Sequence, residues 1–215
     1  MELPLPLEAK EAHNKFKFKC TKCGKCCDST MIGLYPFDIK LICDNLHLST
    51  EEFHQKYSLF TIDETHIVRC LLHNRFGCKF KDKENLCTIY KFRPIRCRLF
   101  PVGRFYNDEK IHYLLSNFPS PGFESNKKQS FAEWAEEQGV TPFNQLTEDW
   151  NTFIIKLKEH PRVAEKNFQQ LFKKVFYHFE NKRGNNEENQ EESLEEFMQR
   201  LYHDFDKLSN DKLSQ

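Results

Sequence analysis

Apolar residues recur at helical spacing through the second half of the chain. Phe143, Leu146, Trp150, Phe153, Ile154 and Leu157 form one stripe across residues 142–159. Phe168, Leu171, Phe172, Val175, Phe176 and Phe179 form a second, and Leu194, Phe197, Leu201, Phe205 and Leu208 a third. Three- and four-residue steps put such side chains on one helix face, so each stretch predicts an amphipathic helix with a buried phenylalanine surface. A shorter helix is expected over 130–138. Ser130 with Glu133, and Ser193 with Glu196, supply capping boxes. The polar run 185–192, after Gly184, reads as a linker too poor in apolar residues to need a fold.

The first half is patterned in shorter pieces. Residues 36–46 and 49–57 read as two helices, the second opened by Ser49 and Glu52 as a capping box. His66, Ile67, Val68 and Arg69 read as a strand running into Cys70. Residues 78–89 suggest a hairpin around Asp82, Lys83, Glu84 and Asn85, and 102–106 with 110–115 suggest another around Asn107 and Asp108. The expected fold class is α+β: a small irregular cysteine-rich core with short strands at 1–125, followed by an α-helical region at 126–215.

Cysteine sharpens this picture. Eight of the nine cysteines form a C-x2-C-x2-C-C loop (Cys20, Cys23, Cys26, Cys27) and a dispersed set, Cys70, Cys78, Cys87 and Cys97. A thiolate is a soft anionic donor suited to zinc, cuprous copper or iron–sulfur clusters, and eight fill two four-thiolate sites. The start of the chain lacks the basic end and apolar run of a signal peptide, and no stretch approaches a membrane span. A cytoplasmic, reducing setting is therefore expected, where clustered cysteines serve as ligands before disulfides.

The net charge of zero hides an uneven spread. Lys10, Lys15, Lys17, Lys19, Lys22 and Lys25 face only Glu11 between Lys10 and Cys27, and Tyr90 to Arg104 carries five basic residues and no acid. Cations beside thiolates stabilise the ionised sulfur. Nucleic-acid binding is the other use of such charge, but no nucleic-acid motif accompanies it, so metal ions are the expected partners. A protein partner or a small anionic ligand is the further expectation.

The segment F-K-C-T-K-C-G-K-C-C and the later C-T-I-Y-K-F-R-P-I-R-C-R-L-F-P resemble the YkgJ-like cysteine-cluster family, the CxxCxxCC zinc- or iron-chelating domain, over roughly residues 18–105. Tyr90, Arg93, Pro94, Arg96, Arg98 and Pro101 stand where that family has its fixed residues. The resemblance implies metal or iron–sulfur binding through Cys20, Cys23, Cys26, Cys27, Cys70, Cys78, Cys87 and Cys97. Related domains occur in flagellin lysine N-methylases.

The residues themselves add detail. Gly24 is expected at positive φ, turning amides toward sulfur. Adjacent side chains diverge, so Cys26 and Cys27 point to two nearby sites, or to one site with Cys27 as a substitute. The C-x2-C-x2-C loop favours an iron–sulfur cluster slightly over zinc, though it lacks the closing C-x3-C-P of ferredoxins and the C-x3-C-x2-C of radical enzymes. Cys43 reads as a small buried hydrophobe, and His73 as a polar histidine outside the ligand set. Arg93, Arg96 and Arg98 flank Cys97 and are candidates to bind an anionic ligand, for which S-adenosylmethionine is one carboxylate-bearing choice. No glycine-rich nucleotide loop, serine elbow or H-E-x-x-H is present. Two functions stay open. One is an iron–sulfur oxidoreductase or S-adenosylmethionine-dependent methyltransferase; the other is a non-enzymatic structural zinc module for protein interaction.

Overall fold

The computed structural model describes residues 14–29, 31–72, 77–107, 110–116, 118–180 and 192–211. In chain order the elements are β1 (Lys15–Lys17), α1 (Cys26–Ser29), β2 (Ile32–Gly33), α2 (Pro36–Leu46), α3 (Thr50–Tyr57), β3 (Ser58–Ile62) and β4 (Val68–Leu72). There follow α4 (Ile95–Leu99), β5 (Val102–Asn107), β6 (Lys110–Leu115), β7 (Lys128–Ser130), α5 (Phe131–Glu137), α6 (Asn144–Lys158), α7 (Lys166–Tyr177) and α8 (Leu194–Asp211). The fold is α+β with small sheets and a helical C-terminal region, as expected.

These elements make two compact units, each built from two stretches of chain. The first comprises 1–32 and 74–148; the second comprises 33–73 and 149–215. The expected division near residue 125 falls inside the first unit's second stretch. The polar run at 185–191 and His73 lie outside the described residues, as do Asp108 and Glu109 at the second hairpin's turn.

The first unit is held by aromatic packing under two antiparallel pairs. β1 pairs with β7, setting Phe16 opposite Gln129, and β5 pairs with β6 from Val102–Leu115 to Asn107–Lys110. Alternation along β1 turns Phe16 inward between two exposed lysines, and the chain continues to the buried Phe18. Phe16, Phe18, Val102, Tyr113, Phe131 and Trp134 form the core. Phe16 stacks on Phe131 at 4.9 Å, and Phe18 meets the edge of Trp134 at 5.4 Å. Burying an indole requires a partner for its N–H, and Trp134 Nε1 donates to the Leu99 carbonyl at 2.8 Å. Ser130 caps α5 reciprocally with Glu133.

The second unit is the helical half with α2, α3 and the β3–β4 pair. The sequence stripes supply its core: Trp150, Ile154, Phe168, Phe172, Phe176, Phe197, Leu201 and Phe205 are each at most 5% exposed, while Leu208 at the end of the third stripe is exposed. Phe176 lies 5.2 Å from Trp150 and 5.3 Å from Phe205, ring to ring. The boxes at Ser49 and Ser193 form as the sequence predicts. β4 starts at Val68, two residues later than the pattern suggests. β3 is an element the pattern did not reveal, because half-exposed Leu59 and Phe60 lack a clean alternation.

Candidate metal centre

The strand that begins in the aromatic core delivers the cysteine loop. Phe18 N–H donates to the Lys127 carbonyl and Lys19 N–H to the Gly122 carbonyl, at 3.2 and 3.0 Å. Gln129, itself buried, holds the Phe18 carbonyl at 2.9 Å. A Cβ on Gly122 would lie 2.4 Å from the Phe18 ring, so only glycine lets this segment close on the strand. The chain leaves the core at Cys20.

From Cys20 the backbone coils tightly. Lys22 and Gly24 both take positive φ, at 54° and 71°, alternating with ordinary residues. Such alternation turns successive N–H groups to one side and makes a concavity that favours anions. Gly24 is required twice over: its φ suits glycine, and a Cβ would lie 2.9 Å from the Asn85 carbonyl oxygen. The turn closes when Cys27 N–H donates to the Gly24 carbonyl at 2.9 Å.

A second segment docks on this loop. Cys78 N–H donates to the Cys27 carbonyl at 2.8 Å, and Lys81 N–H returns to the Cys78 carbonyl at 3.0 Å. Lys81 bridges to Cys87, and Thr88 N–H reaches the Phe80 carbonyl at 2.8 Å. The expected hairpin at 78–89 is thus a tight turn with a single isolated bridge, since Asp82 satisfies the Glu84 and Leu86 N–H groups with its side chain. Lys81 pairs with Asp28 and pins the segment to α1.

Seven of the eight sequence-predicted ligands fall in this first unit: Cys20, Cys23, Cys26, Cys27, Cys78, Cys87 and Cys97. All nine cysteines are free thiols. The adjacent sulfurs of Cys26 and Cys27 are 4.0 Å apart. A tetrahedron with metal–sulfur bonds of about 2.3 Å has edges of roughly 3.8 Å, so this spacing and the soft donor set fit a thiolate-bound metal. Among the described residues no three Cys, His, Asp or Glu side chains converge into a ready-formed ligand group.

The thiols differ in how they hold their protons. Burial raises Cys23, but hydrogen bonds from Lys25 N–H and from the Thr21 and Ser120 hydroxyls outweigh it, and its pKa ends below the usual thiol value. Cys26 is lowered by its hydrogen bond with Cys27, against burial and the nearby Cys97, Cys20 and Cys23. The same bond pushes Cys27 up to about 12, with Cys78 and Cys87 beside it. Cys78 is raised by Cys27 and by burial, and Cys87 chiefly by burial. Crowded thiols resist sharing negative charge; a bound cation removes that resistance and displaces the protons.

Cys70 sits in the second unit, on β4, only 1% exposed. Burial pushes its thiol up to about 12, against a hydrogen bond from Ser58. His54 Nδ1 lies 3.9 Å from its sulfur and 2.6 Å from Ser58 Oγ. The other ring nitrogen of His54 donates to the Tyr177 carbonyl, which fixes a neutral tautomer. Cys43 is fully buried, with its sulfur 3.9 Å from the Ser49 carbonyl oxygen.

The arginines beside Cys97 are turned onto their own backbone. Arg93 donates to the Tyr90 carbonyl at 2.5 Å and to Gln138 at 2.9 Å, and stacks on the Tyr90 ring at 3.8 Å. Arg98 donates to the Arg93 and Lys91 carbonyls at 3.0 and 2.8 Å. Arg96 is exposed on α4. The sequence reading did not single out Thr21, Ser120 or Gly122. Thr21 was hidden inside the motif, and the other two reach the loop only through the tertiary pairing of Lys19 with Gly122. A groove of about 510 Å³ between α6 and α8 is lined by Asp149, Phe153, His160, Tyr202 and Asp206 and contains no thiol.

Residues 19–118 match the CxxCxxCC family model, described as a putative zinc- or iron-chelating domain. The match bears out the resemblance read from the two motifs, for which YkgJ-like is a compatible name, and it supports metal binding by this segment. No curated protein and no solved structure matches the chain. Among the described residues no helix is long and apolar enough to cross a membrane.

Proposed function

We propose that the first unit is a thiolate metal centre whose ligands come from Cys20, Cys23, Cys26, Cys27, Cys78, Cys87 and Cys97, holding iron–sulfur in preference to zinc. The observation that carries this reading is the loop geometry. Positive-φ residues at 22 and 24 and the Lys25 N–H aim backbone donors at sulfur, which stabilises a cluster that carries net negative charge. An iron–sulfur group would supply one-electron transfer; zinc would supply cross-linking of the loop to the 78–87 segment.

Cys70 is left out because its thiol is buried and raised within the second unit, bonded to Ser58 and beside His54. Arg93 and Arg98 are assigned to bracing. Their guanidinium groups tie Tyr90, Lys91 and Gln138 around the Cys97 segment, which gives each arginine a bracing role. That favours electron transfer or a structural metal over methyl transfer from S-adenosylmethionine. The setting is cytoplasmic, where thiols stay reduced.

Anaerobic purification of the full chain after expression with ample iron tests the reading. Brown protein with acid-labile sulfide and more than one iron per chain is the expected result. Colourless protein with zinc alone would move the centre to a structural role, and protein without metal would remove it.

A further inference from the structure

The groove between α6 and α8, about 510 Å³ in volume, plays no part in the metal centre, and all of its lining residues belong to the second unit. Asp149, Phe153 and Leu157 recur at four-residue steps on α6. Tyr202, Phe205 and Ser209 recur at three- and four-residue steps on α8, so each helix lends one row of side chains to the groove. The Phe153 ring joins the rows, 5.0 Å from Tyr202 and 5.8 Å from Phe205. A concavity of this size, with an apolar floor and few polar groups, suits a small organic molecule.

Two polar groups set its chemistry. The Tyr202 hydroxyl is buried with no hydrogen-bond partner among the described residues. Burial and the charge of nearby Asp149 both raise its pKa, so it stays a neutral phenol that can donate or accept. An unpaired buried hydroxyl costs stability, and phenylalanine at 202 would keep the ring contacts to Phe153 and Phe176 without that cost. Asp149 is half-buried, whereas Lys156 and Asp206 are exposed on the rim with opposite charges. His160 is engaged elsewhere: its ring stacks on Phe168 at 4.5 Å, and its Nδ1 accepts the Arg162 N–H at 3.2 Å. Among the described residues no three Cys, His, Asp or Glu side chains converge, so a metal ion has no ligand set here.

We propose that this groove binds a small organic ammonium, with its apolar body on Phe153, Leu157 and Phe205 and its N–H groups donating to the Asp149 carboxylate and the Tyr202 hydroxyl oxygen. An ammonium carries donors only, which suits a carboxylate beside a phenol oxygen. The aromatic floor adds attraction for the cation. The hydroxyl lies out of reach of water in the free protein, so a turn of the Tyr202 side chain brings it onto the ligand. Side-chain adjustments of this kind are common on binding.

Isothermal titration calorimetry of the full chain tests the proposal, with phenethylammonium as the probe and phenethyl alcohol and phenylacetate as its neutral and anionic counterparts. Phenethylammonium should bind saturably and at least about tenfold more tightly than either counterpart. Asp149→Asn and Tyr202→Phe should each weaken it about tenfold, and Tyr202→Phe should raise the thermal midpoint of the ligand-free protein.

Equal binding of phenethyl alcohol overturns recognition of the charge, tighter binding of phenylacetate overturns its sign, and no binding of any probe overturns the site. Undiminished binding in Asp149→Asn puts the cation elsewhere and overturns it too. A lowered midpoint in Tyr202→Phe shows that the hydroxyl has a partner in the free protein, and overturns its role. The comparison of three probes on wild type stands on its own if a variant fails to fold. Metal content does not enter the measurement, so this result and that of the metal-centre reading are independent.

Discussion

Cys27 and Cys70 are both pushed up to about 12, yet the causes differ, and so do the two units around them. Cys27 is raised first by a bond to another cysteine, in a loop with six further thiols in its unit. Cys70 is raised first by burial, among Ser58, His54 and Tyr177. The units differ in bulk as well. The first carries 18 Lys and Arg against 13 Asp and Glu, the second 14 against 19. One concentrates sulfur and positive charge over a small aromatic core; the other concentrates phenylalanine. Cys27 is thus perturbed together with neighbouring thiols, whereas Cys70 is perturbed by its own burial.

The comparison breaks most visibly at Cys27. Replacing Cys27 by serine removes a shared member of the thiol set, and metal content should fall by at least half with loss of structure in the first unit, since binding and folding are coupled. Metal analysis with proteolysis of the cysteine loop checks this. Unchanged metal content would return Cys27 to the role of a bystander.

The second unit should respond in the opposite way. Phe176→Ala removes a fully buried ring from the helical core and should cost about 3–5 kcal/mol of stability while leaving metal content unchanged. Chemical denaturation followed by far-ultraviolet circular dichroism, alongside metal analysis, measures both quantities. Metal loss in the folded variant would show that the two units are not independent in this respect.

Acid should also act on the second unit. Burial holds the His54 pKa down to about 4, helped by the nearby His178 and Lys173 and opposed by the Tyr177 carbonyl and Glu51. The folded state therefore prefers neutral His54. Stability is fully present above the unfolded pKa of about 6.5 and is lost as pH falls toward 4, by up to about 3 kcal/mol. Denaturation midpoints of metal-free protein across this window should fall in wild type and fall less in His54→Gln. Equal slopes would remove His54 from the account.

The smallest effect is expected at Gly24. Alanine there must adopt a positive φ and press on the Asn85 carbonyl, at a cost of about 1–2 kcal/mol, with weaker metal retention under chelator challenge. Retention equal to wild type would mean that the loop tolerates a different path.

Much of this was legible before the fold was known, for identifiable reasons. The phenylalanine stripes predicted α6, α7 and α8 because a three-to-four-residue period survives any tertiary context. Ser49, Ser130 and Ser193 marked helix starts because a capping box is a local bond. Gly24 was placed at positive φ from its position between cysteines. What was not legible depends on distant pairing. β1 and β7 are three-residue strands whose partners are far apart in sequence. Ser120 touches Cys23 only because Gly122 holds Lys19. The motif spacing grouped Cys70 with the other seven cysteines, but spacing along a chain does not say into which core a strand will fold, and β4 took Cys70 into the second unit. The bonds of Arg93 and Arg98 to the Tyr90, Arg93 and Lys91 carbonyls were not legible either, because backbone carbonyls leave no trace in side-chain sequence.

The most direct test of the central claim is the metal content of full-length Cys70→Ala, purified anaerobically beside wild type and Cys27→Ala. If the first unit's thiols are the metal centre, Cys70→Ala retains the wild-type metal and sulfide content while Cys27→Ala loses at least half. Metal loss in Cys70→Ala equal to that in Cys27→Ala, with the helices intact, would contradict the account and restore Cys70 to the ligand set.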